Sequence, residues 1–287
     1  MTDILSAHGG HDHSLFRDLF QNALMMPHLM DQLLAISALH LSTLAPQLSR
    51  KDMRLCQAAQ LRDRALEAFQ TEIASENNGL YTSLFYTLSG LHSLCDTLSF
   101  RDEFSEVLDR FVLFIRSQQE CRRQVQQYSN LRDSPFAPLY QTIIAAAVVV
   151  AQECGGHDYD ELLCRLETTG LNPINVEVCK DAIKRLQWVS DMRRQLHGHT
   201  DGAVHLLLAW PALISDSLIN LIDQRQPEAL IILTHYAAML RRSGFWIFTS
   251  SGAILEQLIS RHLGSYWQDW QEDISAIDPV WPGRATS

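Results

Sequence analysis

Apolar residues recur along the chain at helical intervals and are interrupted by proline, glycine and short polar runs, so the hydrophobic pattern alone divides it into helix-length segments. Behind Ser14, a capping residue, Leu15, Phe16, Leu19, Phe20 and Leu24 form one stripe and predict a helix to about Met26. Pro27 punctuates. Leu29 to Leu44 follows, apolar on most sides with Asp31 and Gln32 near its positive end, and Pro46 stops it. Ser49 and Asp52, in capping spacing, open a more charged helix through Leu61, Ala65, Leu66 and Phe69, closed by the turn Asn77-Asn78-Gly79. From Leu80 to Leu98 the chain is nearly free of charge and predicts an enclosed helix containing Tyr86, Gly90 and His92.

Ser99 and Asp102 repeat the cap spacing before an amphipathic helix through Phe104, Leu108, Phe111, Val112 and Ile115. The Gln- and Arg-rich stretch from Gln118 to Asp133 reads as a solvated helix or a mobile connection, and it is the sharpest candidate boundary in the chain. Ile143 to Val150 has strand propensity, but the length of its flanks and the helical pattern around it favour helix. Further helices are expected from about Asp158 to Glu167 and from Asn172-Pro173 through Val189. His197 to Gly202 reads as a turn, and the apolar run from Ala203 is kinked or divided at Pro211.

The densest apolar stretch comes next. Pro227 and Glu228 suit the first turn of a helix, and from Ala229 to Leu240 no charge appears, so this helix is expected to be buried on every side. Arg241 and Arg242 close it and Gly244 supplies a left-handed stop. Phe245, Trp246 and Phe248 are expected as a bulky plug before a helix capped by Ser250 or Ser251 and ended by Gly264. With no fixed-period repeat, the expectation is one irregular all-α domain of about eleven helices over residues 14–277, between a glycine- and histidine-bearing arm at 1–13 and an extended tail at 278–287.

Composition narrows the function. The chain has 287 residues, 46% of them hydrophobic, which is ample for a sizeable core, and a formal charge of −10, whose field repels phosphate. Basic pairs such as Arg122-Arg123 and Arg193-Arg194 are scattered among acids, so direct nucleic-acid binding is not expected. No apolar run reaches the length of a membrane span. The six cysteines never fall in C-x-x-C spacing. They are expected as reduced thiols, in cytoplasm or nucleus, and not as a zinc cluster. No phosphate-cradling loop, dinucleotide fingerprint, nucleophile elbow or H-E-x-x-H motif occurs, and no cofactor is expected.

Two segments carry a family resemblance. Pro227-Glu228-Ala229-Leu230, His235-Tyr236-Ala237, Phe245-Trp246, a small-residue loop and Leu263-Gly264 resemble the C-terminal part of fungal zinc-cluster transcription factors of the sterol uptake regulator group. Leu33 to Leu41 is similar to that group's first signature helix. The resemblance implies an all-helical regulatory domain that binds a sterol or another hydrophobic molecule, here without the DNA-binding module that normally precedes it. The loop at Thr249 to Gly252 keeps one glycine where the family has more, which implies a stiffer gate.

Candidate ligand contacts on this reading are His40, Tyr86, His235, Tyr236, Met239, Phe245, Trp246 and Phe248, lining a helix-walled apolar pocket. Buried imidazole and phenol groups need a partner, which is either a neighbouring helix or a ligand atom. A second reading keeps the pocket and adds chemistry, as a cofactor-free cyclase or isomerase of a terpenoid or polyketide intermediate. Its acid and base would come from His40, His235, Tyr236, or from His199, Asp201 and His205 near His197. The plainer alternative for that last cluster is Asp201 as a helix cap with surface histidines. His8, His11 and His13 lack a rigid frame, so no functional metal site is expected. Leucine-rich helices and the tail suggest homodimerisation.

Overall fold

The computed structural model describes residues 20–21, 23–45, 47–73, 79–99, 103–127, 156–195, 200–267 and 269–272, and every regular element among them is helical. Eleven α-helices follow in order: α1 Pro27–Leu44, α2 Leu48–Ile73, α3 Gly79–Asp96, α4 Phe104–Gln127, α5 Asp160–Glu167, α6 Pro173–Gln195, α7 Thr200–Leu213, α8 Asp216–Asp223, α9 Pro227–Arg241, α10 Trp246–Leu263 and α11 Asp269–Glu272. Single 3-10 turns lie at Thr97–Ser99 and Ser265–Trp267. The all-α class expected from the periodicity is what the chain adopts. The arm, the tail and Ile143 to Val150 lie outside the described residues.

The first four helices pack as two antiparallel pairs. In α1 and α2, the His28 ring lies 5.5 Å from Phe69, and one turn further the Asp31 carboxylate takes both arms of Arg64. In α3 and α4, Thr87 Oγ1 sits 3.3 Å from Cys121 Sγ, and Arg110 pairs with Asp96 at 2.9 Å near the other end. Gly90 permits the close approach of this second pair, since a Cβ there would stand 2.4 Å from Gln118 Nε2. The pairs join where His28 also meets Phe85, at 5.6 Å.

One expectation is corrected by α4. The polar stretch from Gln118, read as solvated or mobile, continues the same helix to Gln127 with Gln118, Gln119, Cys121 and Val125 buried. The reason lies on a distant helix. Pro211 stands inside α7, which stops at Leu213 and turns by 86° into α8, leaving its last carbonyls without helical partners. Gln119 Nε2 donates to the Ile214 carbonyl at 2.8 Å and Arg122 Nη1 to that of Ala212 at 3.2 Å. A glutamine and an arginine that look like surface in the sequence therefore form an external cap for the end of α7.

Burial of α9 is complete. Every side chain from Glu228 to Leu240 is inside the protein, as the charge-free run predicts, with Pro227 in the first turn. Gly244, at φ 76°, supplies the expected left-handed stop. The chain then departs from expectation, because α10 begins at Trp246 with Phe245 as its cap residue, so Phe248 and Ser250 to Gly252 belong to the helix and not to a plug and loop. Ser251 does not cap α10. Its hydroxyl crosses to the Leu94 carbonyl of α3 at 2.8 Å, a bond no local signal could announce.

Candidate functional site

The candidate residues fall into three groups on the folded chain. In the first, α1 meets α10, and the His40 ring packs on Trp246 with centroids 4.2 Å apart. The two segments that carry the family resemblance therefore touch. Burial lowers the His40 pKa, which keeps the imidazole neutral near pH 7, and its Nδ1 is enclosed without a hydrogen-bond partner. Phe245 and Phe248 pack on each other beside it at 5.3 Å. Thr249 Oγ1, also enclosed and unpartnered, follows one turn after Phe245.

The second group surrounds α9. Tyr236 is fully buried, stacks on Trp210 at 4.4 Å and meets Phe111 edge-on at 6.0 Å. Its hydroxyl donates to the Leu207 carbonyl at 2.7 Å. Leu207 is the residue four before Pro211, so its carbonyl is the one that the missing proline N–H leaves unmatched. Tyr236 thus repairs the helix that Pro211 damages, and burial raises its pKa well above the ordinary phenol value. His235 Nε2 lies 3.2 Å from the Trp270 carbonyl, with Tyr159 edge-on at 5.6 Å. Burial pushes its pKa down to about 4, against the Trp270 bond, which favours the charged ring. The neutral imidazole donates its Nε2 proton, and the bond ties α11 to α9. Met239, also buried, is surrounded by the same core.

Tyr86 forms the third group with Phe69 and Phe85, at 5.5 and 6.3 Å, on the α2 and α3 side. Its half-buried phenol is raised in pKa by burial first and by the Glu120 carboxylate second.

His197 and His199 lie outside the described residues, as do His8, His11 and His13. Asp201 and His205 fall within α7, but their side chains are outside the description, so the acid–base cluster has no geometry to report. Among the described residues, no group of three or more His, Cys, Asp or Glu side chains is gathered closely enough to hold a metal ion.

The sequence pattern missed the partners of these groups. Trp210, whose Nε1 donates to the Ala182 carbonyl at 3.1 Å, and Tyr159 were not singled out. A signal for the Tyr236 bond existed: a proline in an apolar helix frees a carbonyl, and a buried tyrosine needs one. A polar clip was missed as well. Asp158 accepts from Ser190 at 2.8 Å, Gln187 at 3.1 Å and Arg194 at 2.7 Å, fastening the start of α5 to α6. Burial alone would raise its pKa, but these donors together outweigh that effect and hold the carboxyl below its usual value. A groove formed by Pro173, Ile174, Val178 and Ser217 is open to solvent and contains none of the candidate residues.

Comparison of the chain with protein-family models, with curated proteins and with solved structures finds no match.

Proposed function

We propose that the chain is a regulatory-type module that binds a hydrophobic small molecule of the sterol or terpenoid class against the helices around the α1–α10 contact. His40 carries the reading. It is a neutral imidazole laid against an indole, with an enclosed nitrogen that no protein group engages. A single neutral polar atom in an aromatic setting is what orients an oily molecule through one hydroxyl. Tyr236 and His235 give their polar atoms to backbone carbonyls, so on this reading they shape the wall and His40 makes the polar contact. The resemblance to the sterol uptake regulator group supports the same ligand class. With a charge of −10, any role in transcription would run through a DNA-binding partner.

The test is titration of the purified chain with dehydroergosterol, read by energy transfer from tryptophan. Saturable binding is expected. His40→Phe keeps the ring contact and removes the nitrogen, and should weaken binding by roughly threefold to tenfold, the worth of one neutral hydrogen bond. No saturable binding, or equal affinity in His40→Phe, sinks the reading. A cofactor-free isomerase would use the same nitrogen as its base. Consumption of an unsaturated terpenoid by wild type, abolished in His40→Phe, would select that alternative.

A further inference from the structure

The outward stripe of α1 is apolar and regularly spaced. Leu34, Ser37, Leu41 and Leu44 lie along it at intervals of three, four and three residues, and Leu48 is exposed at the start of α2. Leu34, Leu41, Leu44 and Leu48 are exposed at 38, 43, 64 and 73%, and no charged residue falls on the stripe. The opposite side of α1, with Leu29, Leu33, Ile36 and Leu39, is already buried in the core. An ordinary surface helix carries charge on its outer face. The four-three interval is the spacing by which one helix seats side chains between those of another.

The area fits one kind of partner. Leu34, Leu41, Leu44, Leu48 and Met53 together expose on the order of 500 Å² of apolar surface, near the upper end for a functional patch on a monomer. Phe20, Leu24 and Met25, just before α1 in the chain, are exposed too, and a seam that also drew them in would reach roughly 850 Å², close to the ~800 Å² that each partner contributes to a standard interface. Elsewhere, the large exposed hydrophobics among the described residues are scattered singly, at Leu66, Leu113, Ile174 and Tyr266.

We propose that α1 is the centre of a two-fold homodimer, in which the Leu34, Leu41 and Leu44 seam of one copy packs on the same seam of its partner. A second copy supplies a surface with identical spacing and no charge to strand, and the small Ser37 lets the two helices approach closely near the axis. This seam does not rest on the ligand reading, although His40 lies one turn from Leu44 on the same helix.

The experiment is light scattering coupled to gel filtration of the full chain at micromolar concentration. Wild type should show twice the 32.6 kDa of one chain. Leu41→Glu should halve that mass with unchanged circular dichroism, whereas Leu113→Glu, an exposed leucine on α4, should remain dimeric. If Leu41→Glu fails to fold, Ser37→Cys in a Cys56→Ala, Cys164→Ala background should form a disulfide-linked dimer on mild oxidation. A wild type of single-chain mass overturns the proposal. So does a folded Leu41→Glu dimer, or a monomer in which Leu41→Cys is shielded from a thiol reagent, since another segment would then cover the seam.

Discussion

Replacing Tyr236 with phenylalanine removes one oxygen without opening a cavity, and so isolates the repair that Pro211 requires. The Leu207 carbonyl would lose its donor at a site where Tyr236 is fully buried and Trp210 seals the approach. A buried carbonyl left without a partner costs about 1–3 kcal/mol. For a domain of this size that corresponds to a melting temperature lower by roughly 2–5 °C. Other mechanisms could lower stability equally, so the decisive measurement is a double-mutant cycle by urea unfolding. Pro211→Ala restores an N–H that can reach Leu207 within the helix. In that background Tyr236→Phe should cost at least ~1 kcal/mol less than in wild type. Strict additivity, or a loss below about 0.5 kcal/mol in the single variant, would refute the link between the proline and the tyrosine.

Three further outcomes follow from particular contacts. Gly252→Ala places a Cβ 2.5 Å from the Ala237 carbonyl oxygen and 2.7 Å from the Arg241 nitrogen, so α9 and α10 must separate. A loss of about 3 kcal/mol or more, or failure to express in soluble form, is expected, and a neutral effect in thermal melts would contradict the packing. Gln119→Ala should cost about 1–2 kcal/mol by uncapping the Ile214 carbonyl, while Gln126→Ala on the exposed side of α4 should cost almost nothing. His92 and His235 have pKa values lowered to about 3 and about 4, chiefly by burial, so both stay neutral in the fold while the unfolded chain takes up protons below about 6.5. Their contribution is therefore complete above pH 6.5 and lost as pH falls, by about 1.4 kcal/mol per unit for each. Urea midpoints should drop between pH 7 and pH 5, whereas the carboxyls of Asp96 and Glu256, raised chiefly by burial, act with opposite sign as they take up protons. A flat profile there would show that the histidines are not enclosed.

Much of the fold was legible because helical periodicity and its punctuation are local. The burial of α9, the stop at Gly244 and the start at Pro173 follow from residues that are neighbours in sequence. The candidate site was legible only in part. His40 and Trp246 were singled out separately, on segments two hundred residues apart, and their stacking depends on how α1 and α10 dock. The buried glutamines of α4 were misread for a related reason. Composition reports polarity, but whether a polar side chain faces water or a helix end depends on what lies opposite.

The sequence by itself determined the class of structure, the helix content, the wholly buried helix and the absence of the familiar cofactor motifs, since each is set by spacing within a few turns. Only the tertiary structure decided the partners: Tyr236 with the carbonyl that Pro211 frees, Ser251 with Leu94, Gln119 with Ile214, and His40 with Trp246. The physical reason is that a buried polar atom must find its complement wherever packing brings one. That choice is made by the three-dimensional arrangement of helices and leaves no mark on the order of residues along any one of them.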